Sequence, residues 1–198
     1  MIRLFRRGGP PIRLETRRFL LKSLTRRELV QISFPWTTDP EVMEGMELRA
    51  GGWTRRTWKK QVIKPNNRDR FCFGIEDRKS RAIIGYEMVR ISRTKVAALG
   101  VAIGDHDWWG QGVVVESRSA VLDFLFGKTD CVRAWGIVYA RNFPSVSNYL
   151  TLGFTHEGTL RGHFLLSGDQ HADALMFGIR REEWLARKRQ GPGHEQHA

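Results

Sequence analysis

A Gly-x-Gly turn directly before a long amphipathic segment is the feature that most constrains how this chain can fold. The stretch runs from Asp105 to Gly127 as DHDWWGQGVVVESRSAVLDFLFG, with no glycine or proline between Gly112 and Gly127. At about 100° per residue its apolar side chains share one broad face, which predicts a helix packed on a sheet. The apolar face consists of Val113, Val114, Ser117, Ala120, Val121, Phe124 and Leu125, and the opposite face of Glu116, Ser119 and Asp123.

The residues before this turn predict a buried strand, because Val96 to Ile103 are apolar apart from Gly100. The unit is therefore a strand, a glycine turn and a helix. The start of a helix presents unpaired N–H groups and the positive end of the dipole, so the turn predicts a phosphate-like anion site. Many such turns use glycine for geometry alone, and both interpretations stay open on this stretch. Val115 replaces the third glycine of a dinucleotide fingerprint, and no Gly-Lys-Ser/Thr of a P-loop occurs.

Length and composition fit a single domain with a core of helices on a sheet. The chain has 198 residues, of which 41% are hydrophobic, and this excludes a disordered chain. Cys72 and Cys131 lie in predicted strands, which favours buried free thiols, and no metal-ligand spacing appears. No apolar run approaches about 20 residues and the start lacks the apolar core of a signal peptide. We therefore expect a cytoplasmic protein with no metal and no membrane partner.

The positive charge is concentrated at the ends of the chain. The net charge is +12, and residues 1–31 hold nine Lys or Arg against two Glu. Residues 180–198 add five basic against three acidic residues. This distribution fits a tail that attracts polyanions and equally a solubility device. No nucleic-acid-binding motif accompanies it, so nucleic acid is not an expected partner.

The remaining pattern predicts a domain at 12–189 between a flexible basic arm at 1–11 and a disordered tail at 190–198. Predicted strands cover 18–24, 70–76, 81–91, 96–103, 132–139, 154–166 and 171–179, and predicted helices cover 25–33, 54–63, 113–127, 142–152 and 181–189, with a short one beginning at Asp39-Pro40. The helix that crosses between 96–103 and 132–139 makes those two strands parallel. The expected fold class is α/β (α+β), with a mixed, mostly antiparallel sheet of six to seven strands and flanking helices.

Five short blocks occur in a fixed order along this domain. They are LETRRFLL at 14–21, DPEVM at 39–43, WGQG at 109–112, Asn142-x-x-Ser145-x-x-x-Tyr149-x-x-Leu152-Gly153-Phe154, and EGTLR at 157–161. Together they resemble the GNAT superfamily of acetyl-CoA-dependent N-acetyltransferases over roughly residues 12–184. The likeness points to the branch that includes ribosomal-protein alanine N-acetyltransferases. It implies the GNAT fold and acetyl transfer to a primary amine by direct attack in a ternary complex.

The resemblance also implies that the anion site holds the diphosphate of acetyl-CoA. The family motif Q/R-x-x-G-x-G/A maps onto Asp107-x-x-Gly110-x-Gly112, although Asp107 departs from it. The pantetheine arm would run beside Val101–Ile103, where a backbone N–H would polarise the thioester carbonyl. Asn142 fits a helix cap equally well. The implied coenzyme-binding residues are Val101, Ala102, Ile103, Trp109, Gly110, Gln111, Gly112, Val113, Val114, Asn142 and Ser145.

The reaction implied by the resemblance needs a proton donor for the departing thiolate and a base for the acceptor amine. Tyr149 matches the tyrosine that serves the departing thiolate in many relatives, and its alternative role is to pack the helix face. Relatives in this branch often place a glutamate base where this chain has Ala98. Glu87 and His163 could replace it through a water, and a structural role is the alternative for each. Glu116 is expected to be solvated on the outer face of its helix.

The missing base favours an acceptor of low pKa. An α-amine of pKa about 8 is roughly one-tenth neutral at pH 7, whereas a lysine amine of pKa about 10.4 is neutral in about one molecule in 2,500. Deprotonating the lysine costs about 4.6 kcal/mol. We expect the acceptor to be a protein N-terminus, as the resemblance implies, or a small amine.

Aromatic residues near the start are candidates for the acceptor pocket. Phe34, Trp36 and Trp53 could line that pocket together with His163, and core packing is the alternative for the Phe34-Pro35-Trp36 loop. Small domains of this family often pair, so a homodimer is a further expectation. A second functional hypothesis is a non-catalytic acyl-CoA-binding or nucleic-acid-binding module, which Asp107, Ala98 and the basic arm suggest.

Overall fold

The computed structural model describes residues 8–165 and 171–190, which form one mixed sheet with helices on both faces. The strands are β1 (Arg13–Glu15), β2 (Phe19–Ser23), β3 (Arg70–Asp77), β4 (Ile83–Ile91), β5 (Val96–Ile103), β6 (Arg133–Tyr139), β7 (Thr155–Leu165) and β8 (His171–Arg180). The helices are α1 (Arg26–Ser33), α2 (Pro40–Gly45), α3 (Arg55–Gln61), α4 (Val113–Lys128), α5 (Phe143–Thr151) and α6 (Arg181–Gln190). Short 3-10 turns cover Pro35–Thr38 and His106–Trp108.

The sheet has eight strands in the order β1-β2-β3-β4-β5-β6-β8-β7, one more than the upper expectation. The additional strand is β1, which pairs antiparallel with β2 through Leu14 and Leu21. Three residues are too few to show an alternating pattern, so the sequence gives no sign of this strand. The mixed, mostly antiparallel class is confirmed.

The parallel pairing of β5 with β6 is also as expected, but it is short. Val96, Ala97 and Ala98 pair with Arg133, Ala134 and Trp135, and the register ends there. Both strands continue beyond this point, β5 to Ile103 and β6 to Tyr139. The two strands therefore separate toward their C-terminal ends, and the five residues from Leu99 to Ile103 have no strand neighbour on that side within residues 8–165 and 171–190.

Alternation along β3 divides the core between the two faces of the sheet. Phe71, Phe73 and Ile75 face a larger cluster that includes α4, α5 and α6, whereas Cys72 faces a smaller one with α1, α2 and α3. Both cysteines are buried free thiols, as expected, although Cys131 precedes β6 rather than lying in it.

The caps of the first helices follow the sequence signals. Thr25 and Glu28 form the expected capping box at α1, and the Asp39 side chain accepts hydrogen bonds from the first turn of α2. Within the predicted basic arm, the Gly9 N–H donates to the Asn66 carbonyl. Residues 1–7, 166–170 and 191–198 lie outside the described residues. No helix in the described ranges is long and apolar enough to cross a bilayer.

A buried ion pair joins α4 to the sheet, and the periodicity did not predict it. Arg118 and Glu87 have side chains 2% and 0% exposed, and the Arg118 guanidinium donates to a Glu87 carboxylate oxygen at 2.8 Å. The Ser117 hydroxyl donates to the other oxygen at 3.0 Å. Burial raises the pKa of Glu87 and Arg118 opposes that rise. Because a guanidinium does not release its proton in proteins, Arg118 keeps its charge and has the Glu87 carboxyl as its partner in the core.

Replacing Glu87 with alanine leaves the Arg118 charge buried without a counter-charge. We expect the free energy of unfolding of Glu87→Ala to fall by about 3–5 kcal/mol, measured by urea denaturation. The double variant Glu87→Leu/Arg118→Met removes both charges and should recover most of that loss. An equal loss in the single and the double variant would contradict this explanation.

Candidate active site

A cleft opens where β5 and β6 separate. Its wide lobe has a volume of about 620 Å³ and lies between the end of β5, the glycine turn, α2 and α5. A narrow lobe of about 210 Å³ continues inward between β5, β6, α4 and α5. Val101, Val114 and Asn142 line both lobes, so the two lobes adjoin.

The glycine turn forms one end of the wide lobe. Gly110 and Gly112 have φ angles of 70° and 69°, the left-handed region in which glycine carries no Cβ penalty. Gly112 is the N-cap of α4, and no side chain forms a capping hydrogen bond there. The first N–H groups of this helix therefore keep their capacity to bind an anion.

Arg18 holds this turn from the other side. Its guanidinium donates to the Gln111 carbonyl at 2.9 Å and pairs with Glu116 at 2.7 Å. Glu116 also accepts from the Thr16 hydroxyl at 2.7 Å, and its side chain is 19% exposed. The expectation of a solvated Glu116 is corrected, because this carboxylate ties the N-terminal segment to α4. Burial alone would raise the pKa of Glu116, but the hydrogen bonds from Arg18 and Thr16 together outweigh burial and lower this pKa below its usual value.

The backbone of β5 forms the floor of the wide lobe. Gly104 donates its N–H to the Ile84 carbonyl, so alternation along an antiparallel pair turns the amides of Val101 and Ile103 away from β4 and toward the cleft. The Trp109 indole donates to the Ile103 carbonyl at 3.1 Å. This bond anchors the turn to the end of the strand.

A histidine connects the glycine turn to α2. The His106 ring stacks on Trp109 with centroids 4.1 Å apart, and its Nε2 lies 2.8 Å from an Asp39 carboxylate oxygen. Asp39 is the N-cap of α2, and the hydrogen bond from the Val42 N–H lowers its pKa, with a smaller contribution from His106. The two sides of the cleft are therefore in contact through three side chains.

Tyr149 reaches the narrow lobe from α5. It is 5% exposed, and its ring stacks on Phe177 with centroids 5.0 Å apart. Its hydroxyl lies against Gly136, the residue of β6 directly after the last residue paired with β5. The Arg118 guanidinium lies 5.3 Å from the ring centroid. Burial raises the pKa of the Tyr149 phenol, and the Arg118 charge partly offsets that rise.

The sequence matches the family model for the acetyltransferase (GNAT) domain over residues 18–155, more than half of the chain. The chain belongs to the GNAT family. This membership confirms the expected family and makes the protein an acetyl-CoA-dependent N-acetyltransferase, which favours the catalytic hypothesis over the non-catalytic one. No curated protein matches the sequence.

Solved structures with the same fold include other acetyltransferases. Ribosomal-protein-S5-alanine acetyltransferase from Vibrio fischeri has a TM-score of 0.73 at 18% identity, over 87% of this chain and 98% of that one. Spermidine N-acetyltransferase from Vibrio cholerae, in complex with CoA and spermine, has a TM-score of 0.73 at 18% identity, over 85% and 98%. A GNAT acetyltransferase from Bacillus anthracis has a TM-score of 0.72 at 17% identity, over 87% and 100%. At these identities the likeness supports the fold.

The structure of this acetyltransferase gathers most of the expected coenzyme residues in the wide lobe. Ten of the eleven line it, and the exception is Gln111, whose carbonyl instead accepts from Arg18. Asn142 also caps α5, where its side chain accepts from the Ser145 N–H at 3.2 Å, so the geometry allows both of its roles.

Apart from Tyr149, the other expected site residues line neither lobe of the cleft. Glu87 is buried in its ion pair and lines neither lobe, so this geometry gives it no access to an acceptor. His163 is exposed on β7 and packs against Phe164. Trp36 stacks on Tyr86 and belongs with Phe34 to the smaller core cluster, which is the packing alternative. Trp53 lies in the same cluster, edge-on to Trp58.

The sequence did not predict several of the residues that line the cleft. They are Met46, Glu47, Met88, Arg118, Arg141 and Asn148. The inward position of Arg118 was predictable from its spacing. It lies four residues after Val114 and four before Leu122, on the side of α4 that faces the protein. The position of Met88 was also predictable. It alternates with the buried Glu87 and Val89 on a strand that is covered on both faces, so its side chain points to the opposite side of the sheet.

The contact between Tyr149 and Gly136 can be tested through stability. A Cβ atom at Gly136 would collide with the Tyr149 hydroxyl oxygen, so Gly136→Ala should lower the free energy of unfolding by about 1–3 kcal/mol. Combining it with Tyr149→Phe removes the oxygen and should make the alanine less costly. Urea denaturation of the four proteins measures this coupling. Additive losses would show that the hydroxyl does not contact Gly136.

Proposed function

We propose that this acetyltransferase moves the acetyl group of acetyl-CoA to a primary amine by direct attack within a ternary complex. The observation that carries the proposal is the pair of adjoining lobes, of which the wide one is lined by the glycine turn and the end of β5 and the narrow one by β5 and Tyr149. An anion site, a strand edge and a proton donor then follow one another across the adjoining lobes.

The residues of the wide lobe fit acetyl-CoA. The uncapped start of α4 suits the diphosphate, and Arg141 adds positive charge to the lobe. The amides of Val101 and Ile103 suit the pantetheine arm, which would hydrogen-bond to β5 as a strand neighbour does. When bound, acetyl-CoA supplies an acetyl group activated as a thioester. A β5 amide would polarise its carbonyl.

Direct attack is favoured because no cysteine is placed to carry the acetyl group. Cys72 and Cys131 are buried, and neither lines a lobe of the cleft. Burial also raises the pKa of both thiols, which keeps them protonated and poorly nucleophilic. A covalent acetyl-enzyme at these residues is therefore disfavoured.

Tyr149 is placed to give a proton to the sulfur that leaves. Its hydroxyl lies at the point where β5 and β6 separate, and it lines the narrow lobe. Arg118 contacts the ring and makes the phenol easier to deprotonate than burial alone would. Stacking on Phe177 and edge contact with Phe154 hold the ring in one orientation.

The acceptor is a protein N-terminus or a small amine, and both classes are represented among the solved neighbours. One is named for a ribosomal-protein alanine and the other for spermidine. Thiol release from acetyl-CoA should be measured with an Ala-starting peptide, spermidine and free lysine. We expect turnover with at least one of the three. No turnover with any of them, in protein shown by calorimetry to bind acetyl-CoA, would refute the proposed function.

A charge at the glycine turn should weaken acetyl-CoA binding. Asn and Asp have the same shape and both tolerate a left-handed φ, so Gly112→Asn and Gly112→Asp differ only in charge. We expect Gly112→Asp to bind acetyl-CoA about tenfold more weakly than Gly112→Asn, because its carboxylate repels the diphosphate. Isothermal titration calorimetry measures both affinities. Equal affinities would exclude the turn as the diphosphate site.

Loss of the Tyr149 hydroxyl should slow the reaction without weakening coenzyme binding. We expect Tyr149→Phe to lower kcat about a hundredfold and to leave the Kd of acetyl-CoA nearly unchanged. Tyr86→Phe is the matched control, since it removes another buried hydroxyl outside the cleft. Wild-type turnover in Tyr149→Phe would refute the role of this residue.

A further inference from the structure

The end of α2 contains a residue in a conformation that glycine usually adopts. Glu47 has a φ of 61°. Its N–H donates to the Glu44 carbonyl and the next N–H, of Leu48, donates to the Met43 carbonyl. This pair of bonds is the Schellman ending of a helix, in which the left-handed position is normally glycine. A glutamate there carries a conformational cost that glycine would avoid.

Glu47, the residue with the left-handed backbone, lies at the narrow lobe of the cleft. Glu47 lines the narrow lobe together with Tyr149, Gly100 and Val101. It is close enough to Tyr149 for its charge to contribute to the raised pKa of that phenol. Strained residues that line a cleft are candidates for function, because an unstrained alternative was open at the same position.

We propose that Glu47 is the general base that takes the proton from the acceptor amine. This inference rests on the proposed function and supplies the base that neither Ala98 nor the buried Glu87 can provide. Glu47 accepts the proton as the C–N bond forms. Tyr149 gives its proton to the sulfur as the C–S bond breaks, and water in the cleft returns the proton from Glu47 to Tyr149.

The surroundings of Glu47 suit a base that works near neutral pH. Its side chain is exposed to the cleft, while the protein around it removes enough hydration to raise the pKa of the carboxyl to about 7. Arg118 of α4 and Tyr149 of α5 are the other ionisable groups of the narrow lobe. The ionisable groups of the wide lobe are Glu41, Glu44, Tyr139 and Arg141. A base with a pKa near the working pH combines the correct protonation state with a useful driving force.

Two substitutions separate this role from a structural one. Glu47→Gln keeps the size of the side chain and removes the base, and we expect kcat at pH 7 to fall about a hundredfold. Wild-type kcat should fall tenfold per unit below about pH 7, and Glu47→Gln should lose this dependence. Glu47→Gly should lose activity equally but raise Tm by about 2 °C, because glycine relieves the left-handed strain. The Kd of acetyl-CoA should not change in either variant.

Lys95→Gly is the matched control for strain. Lys95 also has a positive φ, 62°, but lies in the turn between β4 and β5 and outside both lobes. It should gain stability and keep the wild-type kcat. The assignment would be overturned if Glu47→Gln had the wild-type kcat or an unchanged pH profile. It would also be overturned if Glu47→Gly had a lower Tm, or if either variant bound acetyl-CoA more weakly. None of these results would contradict the proposed function. A wild-type protein inactive with all three amines would overturn both.

Discussion

The separation of β5 and β6 after three paired residues is the constraint on which the rest of this site depends. Continued pairing would place β6 against the amides of Val101 and Ile103, and no cleft would exist. The Tyr149 hydroxyl occupies the point of divergence beside Gly136. The same aromatic side chain that fills the inner end of the gap is therefore available to whatever binds in it.

Electrostatics within this frame follow from which charges are paired. Arg118 and Glu87 neutralise each other in the core, and Arg18 and Glu116 do so beside the glycine turn. The pairs place α4 against both the sheet and the N-terminal segment, so the start of the helix has a defined position. Glu47, in contrast, has no ion-pair partner among the described residues, and its carboxyl remains available to exchange protons.

Local patterns were sufficient to predict most of the fold. The glycine turn and the apolar periodicity after it located α4 to within one residue at its C-terminal end, and the capping signals at Thr25 and Asp39 located α1 and α2. Sequence could not reveal β1, which is too short to have a period. It also missed the buried Arg118, because an arginine on a helix usually marks the solvent side.

Less of the candidate site could be predicted from the sequence, because one of its residues depends on a backbone conformation that the sequence does not reveal. Nine of the eleven expected coenzyme residues lie between Val101 and Val114, on β5, the glycine turn and the start of α4, so their proximity follows from chain order. Glu47 reaches the same cleft only because α2 ends in a left-handed residue, and nothing in the letters MEGMEL distinguishes that ending from a longer helix. For Phe34 and Trp36 the sequence favoured core packing over a place in the cleft, and Trp36 stacks on the buried Tyr86.

The stacked side chains of His106 and Trp109 connect α2, on one side of the cleft, to the end of β5, on the other. Asp39 caps α2 and contacts His106, and Trp109 is bonded to the last carbonyl of β5. A ligand that rigidifies the glycine turn would in this way also restrain the helix that ends at Glu47. By thermodynamic linkage, the affinity that one ligand gains from this ordering is gained equally by the other, so the two substrates would bind cooperatively.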